Sequence, residues 1–308
     1  MTRIWILGGG VIGTGWAIAY GAAGHEAVVI DPADDAAAVL GNAWAAAQPT
    51  LAEMGLLHAG SLAPAHATAP SGAGPVPDLV QECLPERLEL KHQVLASLEA
   101  SLPDDVMIAS SSSGLMPDDI GACLKNPGRL VIAHPNNPPW IMPTVELCPS
   151  SGTPQARLDE LAQFYTGLGK SVIRMRKPMI GHVVNRLQAA LWREAIHLAA
   201  EGVVSLSDTE RAISEGLAPR WALYGPSTIF HLAGGAGGME RFLEVLGPAF
   251  QSYFDDLGAP VLDQATADLL VCGMAQHDPR PVAEIATERN RKVPRALADI
   301  ARIRAMEI

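Results

Sequence analysis

Residues 3–13 read RIWILGGGVIG: an apolar run, Arg3 to Leu7, passes straight into Gly8-Gly9-Gly10-Val11-Ile12-Gly13. A short apolar run ending in G-x-G-x-x-G, then a small-residue stretch with a helical pattern over 11–24, predicts a strand, a tight turn and a helix. Residues 27–30 form a second apolar run, closed by Asp31. Together they make a βαβ unit. Glycines let the backbone approach a pyrophosphate, the helix N-terminus offers partial positive charge, and a carboxylate ending the second strand can accept bonds from ribose hydroxyls. Gly8, Gly10, Val11, Ile12, Gly13 and Asp31 are therefore read as dinucleotide-binding residues. Asp31 repels the extra phosphate of NADP, and no Lys or Arg occurs from Ile4 through Glu86 to hold one. The expected cofactor is NAD.

Outward from this unit, helix-like stretches at 36–54 and 86–101 alternate with short apolar runs at 78–81, 106–109, 130–133, 144–147 and 171–175. Such alternation predicts a Rossmann-type doubly wound, mostly parallel sheet covered on both faces. Residues 58–78 are rich in Ala, Gly, Pro and Ser and read as a loop with room for one short strand. After Lys177-Pro178 the strand pattern stops. A long helix-like stretch follows at 181–201, and Ser207 with Glu210 reads as a capping pair opening the next helix. The glycines at 234–238 read as a turn between helices. The expected domains are 1–178, binding the dinucleotide, and 179–308, an all-helical C-terminal domain for substrate and dimerisation.

The 308 residues carry 22 basic against 33 acidic side chains, a net charge of −11. That balance argues against nucleic acid and against an anionic membrane surface as partners. The uncharged run from Ile4 to Gly24 imitates a signal peptide, but seven glycines break it, and it reads better as the strand and helix above. Cys83, Cys123, Cys148 and Cys272 show neither a disulfide nor a zinc spacing and fit a reducing, cytoplasmic setting. No metal site is expected.

The segment from 110 to 146 carries SSSSGLMP after one strand and AHPNNPPWIMPTVEL at the end of the next. A histidine delivered at a strand end into a proline-rich loop lies over the sheet's carboxyl edge, where such folds bind ligands. Among the nine histidines, His134 alone is read in that place. By itself it is equally a buried, hydrogen-bonded histidine. Glu146, twelve residues on, is either a surface charge or, on a returning strand, the partner of a His–Glu pair suited to proton transfer.

Six motifs in order now resemble the L-3-hydroxyacyl-CoA dehydrogenase superfamily, in its branch of λ-crystallin and L-gulonate 3-dehydrogenase. They are GGGVIG, QECLPERLELK, SSSSGLMP, HPNNPPW with VEL, GHVVNRLQ, and EGVVSLSD leading to SEGLAPRWALYGP. The resemblance implies that His134 is the general acid/base and that Glu146 orients it. It further implies that Ser113 and Asn185 contact the reacting oxygen, that Glu86 and Lys91 contact the cofactor, and that two copies pair as a homodimer. As plain residues, Ser113 is a turn serine, Asn185 a polar helix residue, and Glu86 and Lys91 a solvated helix face.

Acyl-CoA members find cations between the second and third strands, where this chain has none. Arg220 offers instead a planar clamp for a free carboxylate or, alternatively, an interdomain or subunit salt bridge. With these departures, the resemblance implies NAD-dependent oxidation of the 3-hydroxyl of a small hydroxy acid such as L-gulonate. The alternatives are a 3-hydroxyacyl-CoA substrate, carnitine, or an NAD-binding, crystallin-like protein without turnover. For carnitine, Trp140, Trp192, Trp221 and Tyr224 are the aromatic candidates for its quaternary ammonium.

Overall fold

The computed structural model describes residues 1–306 and divides into two compact units, Met1–Asn185 and Arg186–Ile308. The division falls two residues into a helix, after the last strand.

In the first unit an eight-stranded sheet has the order β3-β2-β1-β4-β5-β6-β7-β8. The strands are β1 (Arg3–Leu7), β2 (Glu26–Ile30), β3 (Ala65–Ala67), β4 (Leu79–Glu82), β5 (Met107–Ser110), β6 (Leu130–Pro135), β7 (Thr144–Pro149) and β8 (Ser171–Arg174). All pairings are parallel except that of β6 with β7. Strand order reverses between β1 and β4, and the crevice at that point is where doubly wound sheets take their ligands. The helices of this unit are α1 (Val11–Ala22), α2 (Ala36–Glu53), α3 (Leu88–Glu99), α4 (Pro117–Gly121) and α5 (Gln155–Gly167).

Because successive strand residues face opposite sides, Ile4 and Ile6 enter one core with Trp16, Tyr20, Leu158 and Tyr165, beneath α1 and α5. Trp5 and Leu7 enter the other with Leu95, Leu98 and Ile120, beneath α3 and α4. Burial on both faces explains why the strands read as near-continuous apolar runs. The alanine- and proline-rich stretch supplies the short β3 and a single 3₁₀ turn at Pro70–Gly72.

The second unit is helical: α6 (Val184–Ala200, its first two residues still in the first unit), α7 (Leu206–Arg211), α8 (Ala218–Trp221), α9 (Pro226–Ala233), α10 (Gly238–Asp256), α11 (Gln264–His277) and α12 (Val282–Arg304). Two boundaries differ from expectation. The capping residue of α7 is Ser205, whose Oγ accepts from the Asp208 amide at 3.1 Å, and not Ser207. Leu206 is buried and must already be helical, so the extended residue before it takes the cap. Helix α6 begins at Val184 rather than near 181, because Gly181 and His182 both have positive φ and cannot continue a right-handed helix. Among the described residues no helix is long and apolar enough to cross a membrane.

Candidate active site

The carboxyl ends of β1, β2, β4, β5 and β6 deliver the site. Gly8 has φ +98°, and a Cβ there would lie 2.7 Å from the Cys83 carbonyl oxygen. A Cβ on Gly13 would lie 1.9 Å from the Gly8 carbonyl oxygen, so only glycine lets α1 sit this close to the strand. Gly10 faces open space and caps α1 with no side chain, which leaves the first helical N–H groups free of an internal partner. Asp31 Oδ2 accepts from the Gly9 amide at 2.7 Å, and Oδ1 from Ala33 at 2.9 Å, fixing the carboxylate beside the turn. This cradle fits a dinucleotide pyrophosphate and ribose. Asn136, two residues past His134, has a buried Oδ1 without a partner, an acceptor suited to an amide such as that of nicotinamide.

His134 and Glu146 are directly opposed across the antiparallel β6–β7 ladder. Their twelve-residue spacing is a strand end, the 136–143 loop and a return. The side chains meet with Nδ1 2.9 Å from Oε2, and both are buried. A carboxylate only accepts, so Nδ1 carries the proton and Nε2 is the nitrogen left for exchange. Burial pushes the Glu146 carboxyl up, but the bonds from His134 and from the Val184 and Val183 amides outweigh it. The carboxyl is held below its ordinary value, and Glu146 is an anion at neutral pH.

Ser113 lies in the exposed turn after β5. The Glu86 carboxylate organises that turn: Oε1 accepts from the amides of Ser113, Gly114 and Leu115 at 3.1, 2.8 and 3.2 Å, and from the Ser112 hydroxyl. Those bonds and nearby Lys91 hold the Glu86 carboxyl below its ordinary value against the opposing effect of burial. The expectation that Glu86 and Lys91 form a solvated helix face fails. Glu86 precedes α3, and Lys91 is 1% exposed, with Nζ 2.7 Å from Glu82 Oε1 and 3.1 Å from the Leu84 carbonyl oxygen. Glu82 ends β4 and is wholly buried, its other oxygen accepting from Ser110. Buried charges need such partners, and nothing local to the β4 sequence announces them.

Asn185 sits half-buried in the first turn of α6. In the second unit Arg220 lies in α8, exposed, its Nη2 donating to the Gly216 carbonyl oxygen; a π-helical turn, Ala212–Leu217, precedes it. Trp221 is its neighbour and is half-buried, while Trp192 and Tyr224 are 45% and 49% exposed. Trp140 instead packs with Ile18, Ala47 and Leu51 against α1 and α2. No group of three metal-ligating side chains occurs among the described residues.

One histidine escaped the sequence reading. His182 is 1% exposed, its ring centroid 4.9 Å from that of His134, so His134 is not alone at this centre. The proline and glycine before α6 signal a turn there, though not its burial.

Residues 3–178 match the family model of the 3-hydroxyacyl-CoA dehydrogenase NAD-binding domain, and residues 181–267 match that of its C-terminal domain. The chain belongs to the 3-hydroxyacyl-CoA dehydrogenase family. It is an NAD-dependent dehydrogenase acting on a CH–OH group, and the reading as a crystallin-like protein without turnover is set aside. Similar curated proteins include an L-carnitine dehydrogenase of Streptomyces griseus subsp. griseus, 42% identical over 94% of this chain and 88% of that protein. Another is that of Streptomyces coelicolor, 40% identical over 98% and 95%. Among solved structures, 5-formyl-3-hydroxy-2-methylpyridine 4-carboxylic acid 5-dehydrogenase, an NAD+-dependent dismutase, superposes with a TM-score of 0.87. It is 23% identical, covers 98% of this chain and 99% of that one, and shares the fold.

Proposed function

We propose that the protein oxidises the 3-hydroxyl of a small free hydroxy acid bearing a quaternary ammonium, with L-carnitine as the specific candidate. The observation that carries the reading is the buried His134–Glu146 pair at the carboxyl edge of the same sheet whose β1 ends in the glycine turn. The names of the relatives move the substrate from the L-gulonate-like acid expected above to carnitine. The absence of Lys and Arg between β2 and β3 disfavours a CoA thioester.

In this reading NAD supplies the hydride acceptor. Gly8, Gly10, Val11, Ile12 and Gly13 take the pyrophosphate, and Asp31 takes the adenosine ribose. Glu86 reaches the cofactor with Lys91 enclosed behind it. His134 takes the hydroxyl proton on Nε2, and Glu146 orients the imidazole and favours the cation that forms. Ser113 and Asn185 steady the reacting oxygen. Arg220 takes the substrate carboxylate in two bonds, and the rings of Trp192, Trp221 and Tyr224 are the faces available to a trimethylammonium. The π-helical turn before α8 supports a role for that segment, since such turns recur at functional sites.

A homodimer through the helical unit belongs to the same proposal. Leu243 and Phe254, eleven residues apart and so on one face of α10, are each more than half exposed, an apolar stripe that a second copy would cover. Sedimentation at micromolar concentration should give twice the chain mass, and a monomer would refute it. The four free cysteines suit a cytoplasmic setting.

Mixing the protein with NAD and, separately, L-carnitine, L-gulonate and a 3-hydroxybutyryl-CoA tests the substrate by absorbance of the reduced cofactor. L-Carnitine should respond most strongly; turnover of the thioester alone would overturn the assignment. Arg220→Ala should raise KM for the hydroxy acid about 10- to 100-fold, and an unchanged KM would remove Arg220 from the site.

A further inference from the structure

His182 holds φ at +50°, a region that side-chain-bearing residues seldom enter and keep only where their surroundings over-determine it. Three contacts do so. Its Nε2 lies 2.9 Å from the Ser112 carbonyl oxygen, in the turn that carries Ser113. Its ring packs on the His134 ring at a 47° tilt. The amides of the next two residues, Val183 and Val184, donate to Glu146 Oε1 at 2.7 and 3.0 Å.

A carbonyl oxygen only accepts, so the proton of His182 resides on Nε2. Nδ1 is buried without a partner. Adding a proton there would bury an unpaired N–H and place a second positive charge against His134. Burial and His134 disfavour the charged ring; the Ser112 carbonyl, Glu146 and Glu86 favour it. The balance lies below the ordinary imidazole value.

We infer that His182 is a positioning residue of the hydride-transfer centre: its neutral imidazole, donating from Nε2 to Ser112, ties the serine turn to the His134–Glu146 pair. It leaves His134 as the imidazole that exchanges the substrate proton. The inference rests on the roles proposed above for His134 and Ser113, and adds the part that holds the two in register.

His182→Phe keeps an aromatic ring and removes the donor; His182→Gln restores an N–H donor without an imidazole. With NAD and L-carnitine, kcat of the Phe variant should fall about 10- to 100-fold, while KM for NAD stays within about two-fold. The Gln variant should recover to within about five-fold of the parent. Equal losses in both variants, or an unchanged kcat in the Phe variant, would overturn the inference.

Nitrogen-15 spectra of the histidine rings in the parent protein give a readout that needs no turnover. The resonances absent from both variants should keep the neutral Nε2–H form to lower pH than a free imidazole does. A ring at 182 that gains its charge as readily as a free imidazole, or carries its proton on Nδ1, would also overturn it. If the parent oxidises no hydroxy acid, the substrate reading falls, and these spectra still decide whether His182 clamps the turn. If the Phe variant does not fold, the Gln variant and the spectra decide.

Discussion

Of the buried pairs of a basic side chain and a carboxylate in the first unit, two near the carboxyl edge of the sheet differ in kind. Lys91 meets Glu82 at 2.7 Å and His134 meets Glu146 at 2.9 Å. Around Glu82 every direction is filled, by Lys91 and the Leu84 amide on one oxygen and Ser110 on the other. A sealed ammonium–carboxylate pair holds the loop after β4, and through Glu86 the serine turn, in one arrangement. The second pair ends in an imidazole whose other nitrogen, Nε2, is left free to exchange a proton. A stiff pair builds the wall, and the pair that ends in an imidazole is the one proposed to carry the reaction.

The largest effect should come from the imidazole pair. His134→Ala should lower kcat about 10³- to 10⁴-fold, while NAD binding, followed by fluorescence of the reduced cofactor, stays within about three-fold. A variant retaining a tenth of the parent rate would remove His134 from the proton step. The sealed pair should answer in stability. Lys91→Met leaves Glu82 buried without its cation and should destabilise the protein by about 3–5 kcal/mol in urea unfolding. Combining it with Glu82→Gln should regain part of that loss. If Lys91→Met unfolds at the parent's midpoint, the contrast between the pairs is mistaken.

A smaller effect is expected from Glu146→Gln, which keeps an acceptor for His134 but not the charge. Its kcat should fall about 10- to 100-fold, because the imidazolium formed in the reaction loses its anion. An unchanged kcat would mean that Glu146 acts by shape alone.

The smallest effect is on stability at acid pH. The unfolded chain protonates His182 below about 6.5 and Glu146 below about 4.5, whereas the folded protein resists both. The contributions of both groups are therefore complete near neutral pH. They are lost as pH falls, that of His182 first and that of Glu146 as pH passes through its folded value. In urea unfolding followed against pH, His182→Gln should flatten the first part of this loss. An identical pH dependence would show that His182 titrates normally in the fold.

The strands, the helices after them and the glycine turn were legible because each depends on residues within one turn or one strand of each other. The His134–Glu146 pair was legible only as a possibility, for nothing in a twelve-residue spacing says that the second strand returns antiparallel. Lys91 departs from the solvated face expected of it because its burial depends on Glu82, nine residues earlier at the end of β4. The α7 cap was misplaced by two residues, since two serines compete and the burial of Leu206 decides between them. His182 was passed over because its partners lie 70 residues away at Ser112 and across the sheet at His134.

By itself the sequence determined that this chain builds a βαβ unit for NAD, since the glycines, the helix start and Asp31 act within about thirty consecutive residues, where backbone sterics and hydrogen bonding are local. It also carried the family, through motifs spread over both units. Only the tertiary structure decided which polar side chains are buried and whom they face. Burial and pairing are set by segments far apart in the chain, and it is burial that makes Lys91 and Glu82 a fixed support, Glu146 an anion and His182 a neutral clamp.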